Sequence, residues 1–278
     1  QRFHHAQLFN GDIGVGKREL VDMLADALLC SNAHNLIACG KCKSCQLNRA
    51  NTHPDKRVVK AEGQTIGVDE VREITDFINH SSAQNGNKVV VLEHSHKMTT
   101  AAANALLKTL EEPSLNRYLL LTCEQLALLP ATILSRCAVH EVKVNPSLAK
   151  KWLGEFNIPH YSWLELFVEQ PMLIEHWYNE KQLDSIDSLY KFATELKDSD
   201  NFSALVEILS KDSTLINVFV LFLTEHLKEK LVLGMDFFSY QKAQQAIAEF
   251  LYNSSHVLGL NMSLAISKLA FSLRESQN

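Results

Sequence analysis

The sequence has no apolar run near the roughly 18 residues that a membrane-spanning helix needs, and no secretory leader opens it. A membrane role is excluded on that reading, and a cytoplasmic location is expected. It also lacks an excess of positive charge: 27 Lys and Arg stand against 32 Asp and Glu, a formal net charge of -5. No whole-molecule basic field is available for nucleic acid, so any such contact has to be local or shared with a partner. No internal repeat and no low-complexity linker interrupts the chain. The first residues, Gln1-Arg2-Phe3-His4-His5, include no initiator Met, and preceding residues are expected.

What is present is ordinary in bulk and unusual in detail. With 278 residues, 46% hydrophobic and 21% charged, the chain has the make-up of a soluble globular protein of two or three compact units. Residues 1–140 alternate short apolar runs with amphipathic stretches, which predicts a three-layer α/β domain. Strands are expected at 6–9, 57–60, 88–92 and 118–122. Helices are expected at 17–30, at 68–79 and at 101–112, where Pro113 stops the last one. In the first helix the apolar face reads Leu20, Met23, Leu24, Ala27 and Leu28. The run Lys88-Val89-Val90-Val91-Leu92 has three β-branched valines at its centre, as buried parallel strands often do. Strand signals fade after about 145. Segments 147–156, 162–180, 183–197, 201–210, 213–232, 238–253 and 261–274 read as helices. A boundary is placed near 142 and a softer one near 183, giving domains 1–142, 143–182 and 183–278.

Gly11-Asp12-Ile13-Gly14-Val15-Gly16-Lys17-Arg18 lies between a strand and a helix, the context of a phosphate-binding loop. Gly11, Gly14 and Gly16 would let backbone wrap a phosphate, helix N–H groups would donate to it, and Lys17 would supply charge. A purely structural glycine turn is the plainer alternative. The position that should carry a Mg²⁺-binding hydroxyl is Arg18. After the strand at 88–92, where an active ATPase would show Asp then Glu, the chain reads Glu93-His94-Ser95-His96. Glu93 is thus a degenerate acidic motif. Nucleotide binding, ATP or ADP, stays open, and efficient hydrolysis is not expected. His94 and His96 alternate after a strand and are expected to point to opposite sides, which argues against a metal pair.

Cys30, Cys39, Cys42 and Cys45 read C-x8-C-x2-C-x2-C, a spacing that brings four thiolates around one tetrahedral ion. A structural zinc folding an insertion at about 30–50 is the leading reading, with an iron–sulfur cluster and four loosely placed thiols as alternatives. Gly40 eases the turn, and Lys41 and Lys43 offset the thiolate charge. Cys123 and Cys137 are read as small buried hydrophobes.

Taken together, these residues resemble the delta-prime and gamma/tau group of bacterial DNA polymerase III clamp-loader subunits, within the AAA+ family. The resemblance rests on the cysteine insertion after the loop helix and on Thr99-Thr100-Ala101-Ala102-Ala103-Asn104-Ala105-Leu106-Leu107-Lys108-Thr109-Leu110-Glu111-Glu112-Pro113. The stretch Leu129-Pro130-Ala131-Thr132-Ile133-Leu134-Ser135-Arg136-Cys137 completes it. It is strong over 1–140 and general beyond. It implies a RecA-like AAA+ parallel-sheet domain with a zinc insertion, a small helical lid and a C-terminal helical collar. The altered Arg18, Glu93 and His94 favour the delta-prime side, while the retained Gly16-Lys17 departs from it; an active gamma/tau-like ATPase is the alternative. The resemblance further implies that Arg136, beside Ser135, acts as an arginine finger in trans; a merely solvated surface arginine is the plainer reading. The implied partners are gamma/tau and delta subunits in a heteropentamer, with the sliding clamp and primer-template DNA reached through it. The chain would belong to a DNA-directed DNA polymerase assembly without an ATPase of its own.

Overall fold

Alternation along each buried strand divides the first half of the chain into two packed faces. The computed structural model describes residues 3–61, 65–84, 86–195, 202–212, 214–257 and 259–276. Five strands, β1 (Ala6–Asn10), β2 (Lys56–Val59), β3 (Lys88–Leu92), β4 (Arg117–Cys123) and β5 (Ala138–Glu141), form one sheet in the order β2-β3-β4-β1-β5. Every neighbouring pair is parallel. Leu8, Val90, Leu92, Leu119 and Leu121 point to one side, where they pack with α3 (Val68–Asn79) and α4 (Thr100–Glu111). Phe9, Val89, Val91 and Leu120 point to the other, against Val21 and Ala25 of α1 (Lys17–Leu29). Side chains on successive strand residues face opposite ways, so both faces need apolar residues and the central strands read as continuous hydrophobic runs.

The edge strands are short and half exposed. The polar β5 was not expected from the sequence, because four residues reading Ala-Val-His-Glu carry no strand pattern of their own. It is held by pairing with β1, and Val142 N–H then donates to Asn10 O at 2.7 Å.

Two expectations are corrected. Met23 lies outside the buried stripe of α1 at 64% exposure, whereas Lys17, Val21, Ala25 and Leu29 are buried. The inward side chain of Lys17 sets the phase of the helix, and positions four apart follow it. The single helix expected over 162–180 is broken into a short 3-10 turn (Ser162–Phe167) and α7 (Pro171–Asn179). Pro171 lacks an N–H and disfavours helical backbone at the residue before it, so it can begin a helix but not continue one.

Two compact units emerge, Gln1–Ile158 with Leu166–Glu175, and Pro159–Glu165 with His176–Asn278. The first also contains α2 (Lys43–Arg49), α5 (Ala131–Leu134) and α6 (Pro146–Leu153). The second is helical, with α8 (Leu183–Glu195), α9 (Phe202–Lys211), α10 (Thr214–Val232), α11 (Phe237–His256) and α12 (Met262–Glu275). In it α10 is the central element: Leu215, Ile216, Val218, Phe219, Phe222, Leu223 and Leu227 are all buried. A helix apolar over so wide an arc needs neighbours on several sides. Aromatic side chains supply much of that packing, with Phe222 5.2 Å from Tyr190 and 6.3 Å from Trp163, ring centre to ring centre. No helix among the described residues is long and apolar enough to cross a membrane.

Candidate nucleotide cradle, cysteine cluster and arginine turn

The loop between β1 and α1 has the backbone form that its glycines allow. Gly14 lies at φ 79°, and a Cβ there would come 2.8 Å from the Leu173 Cβ. A Cβ on Gly11 would sit 2.6 Å from the Val142 carbonyl oxygen. Neither position accepts a side chain as the chain stands. Met172 N–H donates to Gly14 O at 3.0 Å and pins the loop from outside.

Lys17 is in place, but its ammonium is already engaged. Its Nζ donates to Gly11 O and Asp12 O at 2.8 Å each and lies 3.0 Å from Glu124 Oε1. Both side chains are largely buried, at 6% and 17% exposure. Burial alone would raise the Glu124 carboxyl. The His94 hydrogen bond and the Lys17 ammonium outweigh it and hold the pKa at about 2. Glu124 is therefore a buried carboxylate facing the lysine that would meet a phosphate.

The second half of the cradle is closed in the same way. Arg18 Nε stands 3.4 Å from Glu93 Oε1, so the buried acidic side chain at the end of β3 is paired with the arginine that occupies the magnesium-hydroxyl position. His94 and His96 do not diverge, contrary to the expectation from strand alternation. His94 takes left-handed backbone at φ 53°, the chain turns into a 3-10 segment (Ser95–Lys97), and alternation ends there. The Nδ1 atoms of both rings lie 3.0 Å from the same Glu124 Oε2. His96 is pushed below its ordinary value by burial, a shift that Glu124 opposes.

Sequence reasoning missed Glu124, the residue that organises this cluster. The signal was topological. β4 lies between β3 and β1, so the residue after its last strand position falls beside the ends of both, where ligands of open α/β sheets bind. Gly11 N–H donating to Cys123 O at 3.2 Å shows the same adjacency.

The cysteine segment is brought together. The Sγ atoms of Cys30, Cys39, Cys42 and Cys45 all lie within 4.8 Å of one another, and the four could hold a metal ion. Cys42 is 3.7 Å from Cys30 and 3.5 Å from Cys45, sulfur to sulfur. A tetrahedron with bonds of about 2.3 Å has edges of about 3.8 Å, so four thiolates here fit a zinc-sized ion. Backbone N–H groups of Asn32 and Cys39 point at the Cys30 sulfur, and that of Cys42 at the Cys39 sulfur, at 3.3–3.4 Å. Gly40, at φ 70°, makes the turn between the second and third cysteines. Cys137 packs against the core, and burial pushes its thiol up to about 11.

Arg136 lies on the turn between α5 and β5. Its contacts are with Glu111 Oε1 at 2.6 Å, Thr132 O at 2.9 Å and Ser135 Oγ at 3.3 Å, none of them in the Lys17–Glu124 cluster. Its side chain is 34% exposed. The guanidinium is held in one orientation while keeping a face to solvent.

The profile of the family described as "DNA polymerase III, delta subunit" matches residues 1–146, just over half of the chain. The chain belongs to that family. Among relatives, the DNA polymerase III subunit delta' of Haemophilus influenzae is 45% identical over 152 residues, covering 54% of this chain and 46% of that protein. The Escherichia coli subunit of the same name is 41% identical over 156 residues, covering 55% and 47%. The E. coli subunit tau is 35% identical over 142 residues, covering 51% of this chain and 22% of that one. These matches span about half the length of the delta' proteins or less. A crystal structure of a gamma subunit-related DNA polymerase III protein from Thermotoga maritima aligns over 98% of this chain and 95% of its own at TM-score 0.56 and 21% identity. That likeness shows the fold, a parallel α/β sheet domain followed by helices.

Proposed function

We propose that this chain is a delta-prime-type subunit of a bacterial clamp loader that does not use ATP itself and serves its neighbours. The observation that carries the reading is the double internal ion pairing, Lys17 with Glu124 and Arg18 with Glu93. In phosphate-binding loops the lysine meets phosphate and the acidic residue meets Mg²⁺. Here a carboxylate of the same chain takes the place of the phosphate, and an arginine takes the place of the metal. A bound nucleotide would have to displace both.

Functional weight then shifts to Arg136. A half-exposed guanidinium fixed by three contacts suits a group presented to an adjoining subunit's nucleotide, where Ser135 helps hold it. The cysteine cluster holds structural zinc, since four thiolates leave no open position for catalysis. Residues 143–182 act as a helical lid and 183–278 as a collar joining gamma/tau and delta subunits in a heteropentamer. The exposed Val232, Leu233, Phe237 and Phe238 offer apolar surface for such contacts. The sliding clamp and primer-template DNA are reached through the assembly, in the cytoplasm.

The test is reconstitution with gamma/tau and delta subunits. Arg136→Ala should still assemble but lower ATP turnover at the one interface it serves, on the order of 10³-fold there. Normal ATPase and clamp loading by that variant would contradict the finger assignment.

A further inference from the structure

The eight residues between Cys30 and Cys39 form a hairpin that the fold leaves outside its core. His34 and Ile37 exchange both backbone hydrogen bonds, at 3.1 and 2.9 Å, around a two-residue turn at Asn35 and Leu36. The base of the hairpin is closed by the N–H groups of Asn32 and Cys39, which donate to the Cys30 sulfur. Both turn residues lie in the left-handed region, at φ 49° and 58°. A turn of this form takes Asn readily at its first central position and glycine at its second. Leu36 stands where glycine belongs. Of the six non-glycine residues with positive φ among the described residues, it alone is apolar.

The strain brings no core packing in return. Residues 31–37 are all exposed, with Leu36 at 49% and Ile37 at 67%. Backbone strain of this kind persists at sites where a particular side chain is needed, since Asn or glycine would relieve it. Charge around the tip has one sign. Residues 30–50 contain Lys41, Lys43 and Arg49, all exposed, and no Asp or Glu, in a chain whose formal net charge is -5. Those three cations outnumber the two net negative charges that four thiolates and a divalent ion would leave. Two adjacent aliphatic side chains with cations behind them match an apolar pocket with a carboxylate rim. Nucleic acid matches less well. Phosphates would meet the cations, but 30–50 has no Phe, Trp or Tyr to stack on a base, and the aliphatic tip would stay in water.

We propose that Leu36 and Ile37 form a docking tip that enters an apolar pocket rimmed by Asp and Glu on another protein of the assembly. The cysteine module then serves as a rigid mount for the tip, beyond folding its own segment. The proposal rests on the clamp-loader reading for the source of the partner, and not on Lys17, Glu124 or Arg136.

The test places a photo-crosslinking side chain at an exposed neighbour, Ala33→p-benzoylphenylalanine, in the full chain. The chain is irradiated in a complex reconstituted with purified gamma/tau and delta subunits, and again with the sliding clamp and primer-template DNA added. The expected product joins residue 33 to a protein segment of apolar residues flanked by Asp or Glu, and its yield falls as salt rises. Leu36→Gly should lower that yield at least about tenfold, because the burial of one leucine side chain is lost. The free chain should melt no lower, because glycine takes positive φ freely. Ile37→Ser, at a position without positive φ, should lower the yield similarly, and it keeps the test decisive if Leu36→Gly disturbs the hairpin. Assembly without a protein cross-link overturns the proposal. So does a product formed only with DNA or only with a second copy of this chain, or full yield in both variants. Loss of yield with a lower melting temperature in both variants would make the pair structural and overturns it as well. Failure to assemble at all overturns the clamp-loader reading and the docking tip together; the other outcomes leave that reading standing.

Discussion

Two motifs that look equally deliberate in the sequence arrive at opposite states in the fold. The four cysteines converge with their sulfurs facing one another, a set of ligands that could hold an ion between them. The phosphate loop keeps its glycines and Lys17, yet its charged groups are spent on one another. Retention of a motif shows that its backbone shape is needed. Whether its chemistry is available depends on neighbours the motif does not contain. On the proposed reading Glu124, more than a hundred residues from the loop, decides the matter.

The comparison breaks most visibly at the metal. If the cysteine set is a structural zinc site, the purified chain should hold one equivalent, and a strong chelator should unfold residues around 30–50. Structural zinc in small modules is worth about 10–16 kcal/mol of apparent binding energy, so this is the largest effect expected. Intact amide protection across α2 after complete metal removal would contradict it.

The cradle should answer to acid in a way that sharpens its half of the contrast. Glu124 is held at about 2, below its ordinary 4.5. Its contribution to stability is therefore fully present above about 4.5 and is lost as pH falls through 2. Glu124→Gln should remove that part of the acid slope and should itself destabilise the chain, because Lys17 is left buried without its counter-charge, a loss on the order of 3 kcal/mol. Denaturant titrations across that window check both. An unchanged acid slope in the variant would remove Glu124 from the account.

The smallest effect tests helix phase. Met23→Gln, on the exposed side of α1, should change stability by less than about 0.5 kcal/mol, while Val21→Ala, at a fully buried position, should cost about 1–3 kcal/mol. Reversed sensitivities would mean that the helix is rotated.

What could be read beforehand followed from local pattern. The continuous run at 88–92, the loop before Lys17 and the cysteine spacing each carry their meaning within a few residues. The apolar face of α10 was also legible, since Leu215, Val218, Phe219, Phe222 and Leu223 are buried as their spacing suggests. What stayed hidden depends on residues far apart in sequence. β5 is a strand only because β1 lies beside it. The phase of α1 is set by a lysine that a hydrophobicity pattern would place outside. The convergence of His94 and His96 needs a left-handed residue and a partner some thirty positions on. The break at Pro171 was local, and the proline itself announced it.

The central claim is that this chain's own carboxylate, rather than a damaged loop, keeps nucleotide out. The direct measurement is equilibrium binding of a fluorescent ATP analogue to the wild-type chain and to Glu124→Gln, with the Glu124→Gln, Lys17→Ala double variant alongside. The account predicts no binding by the wild-type chain, measurable binding once Glu124 is neutral, and its loss when Lys17 is also removed. Nucleotide binding by the wild-type chain that Glu124→Gln leaves unchanged would contradict it.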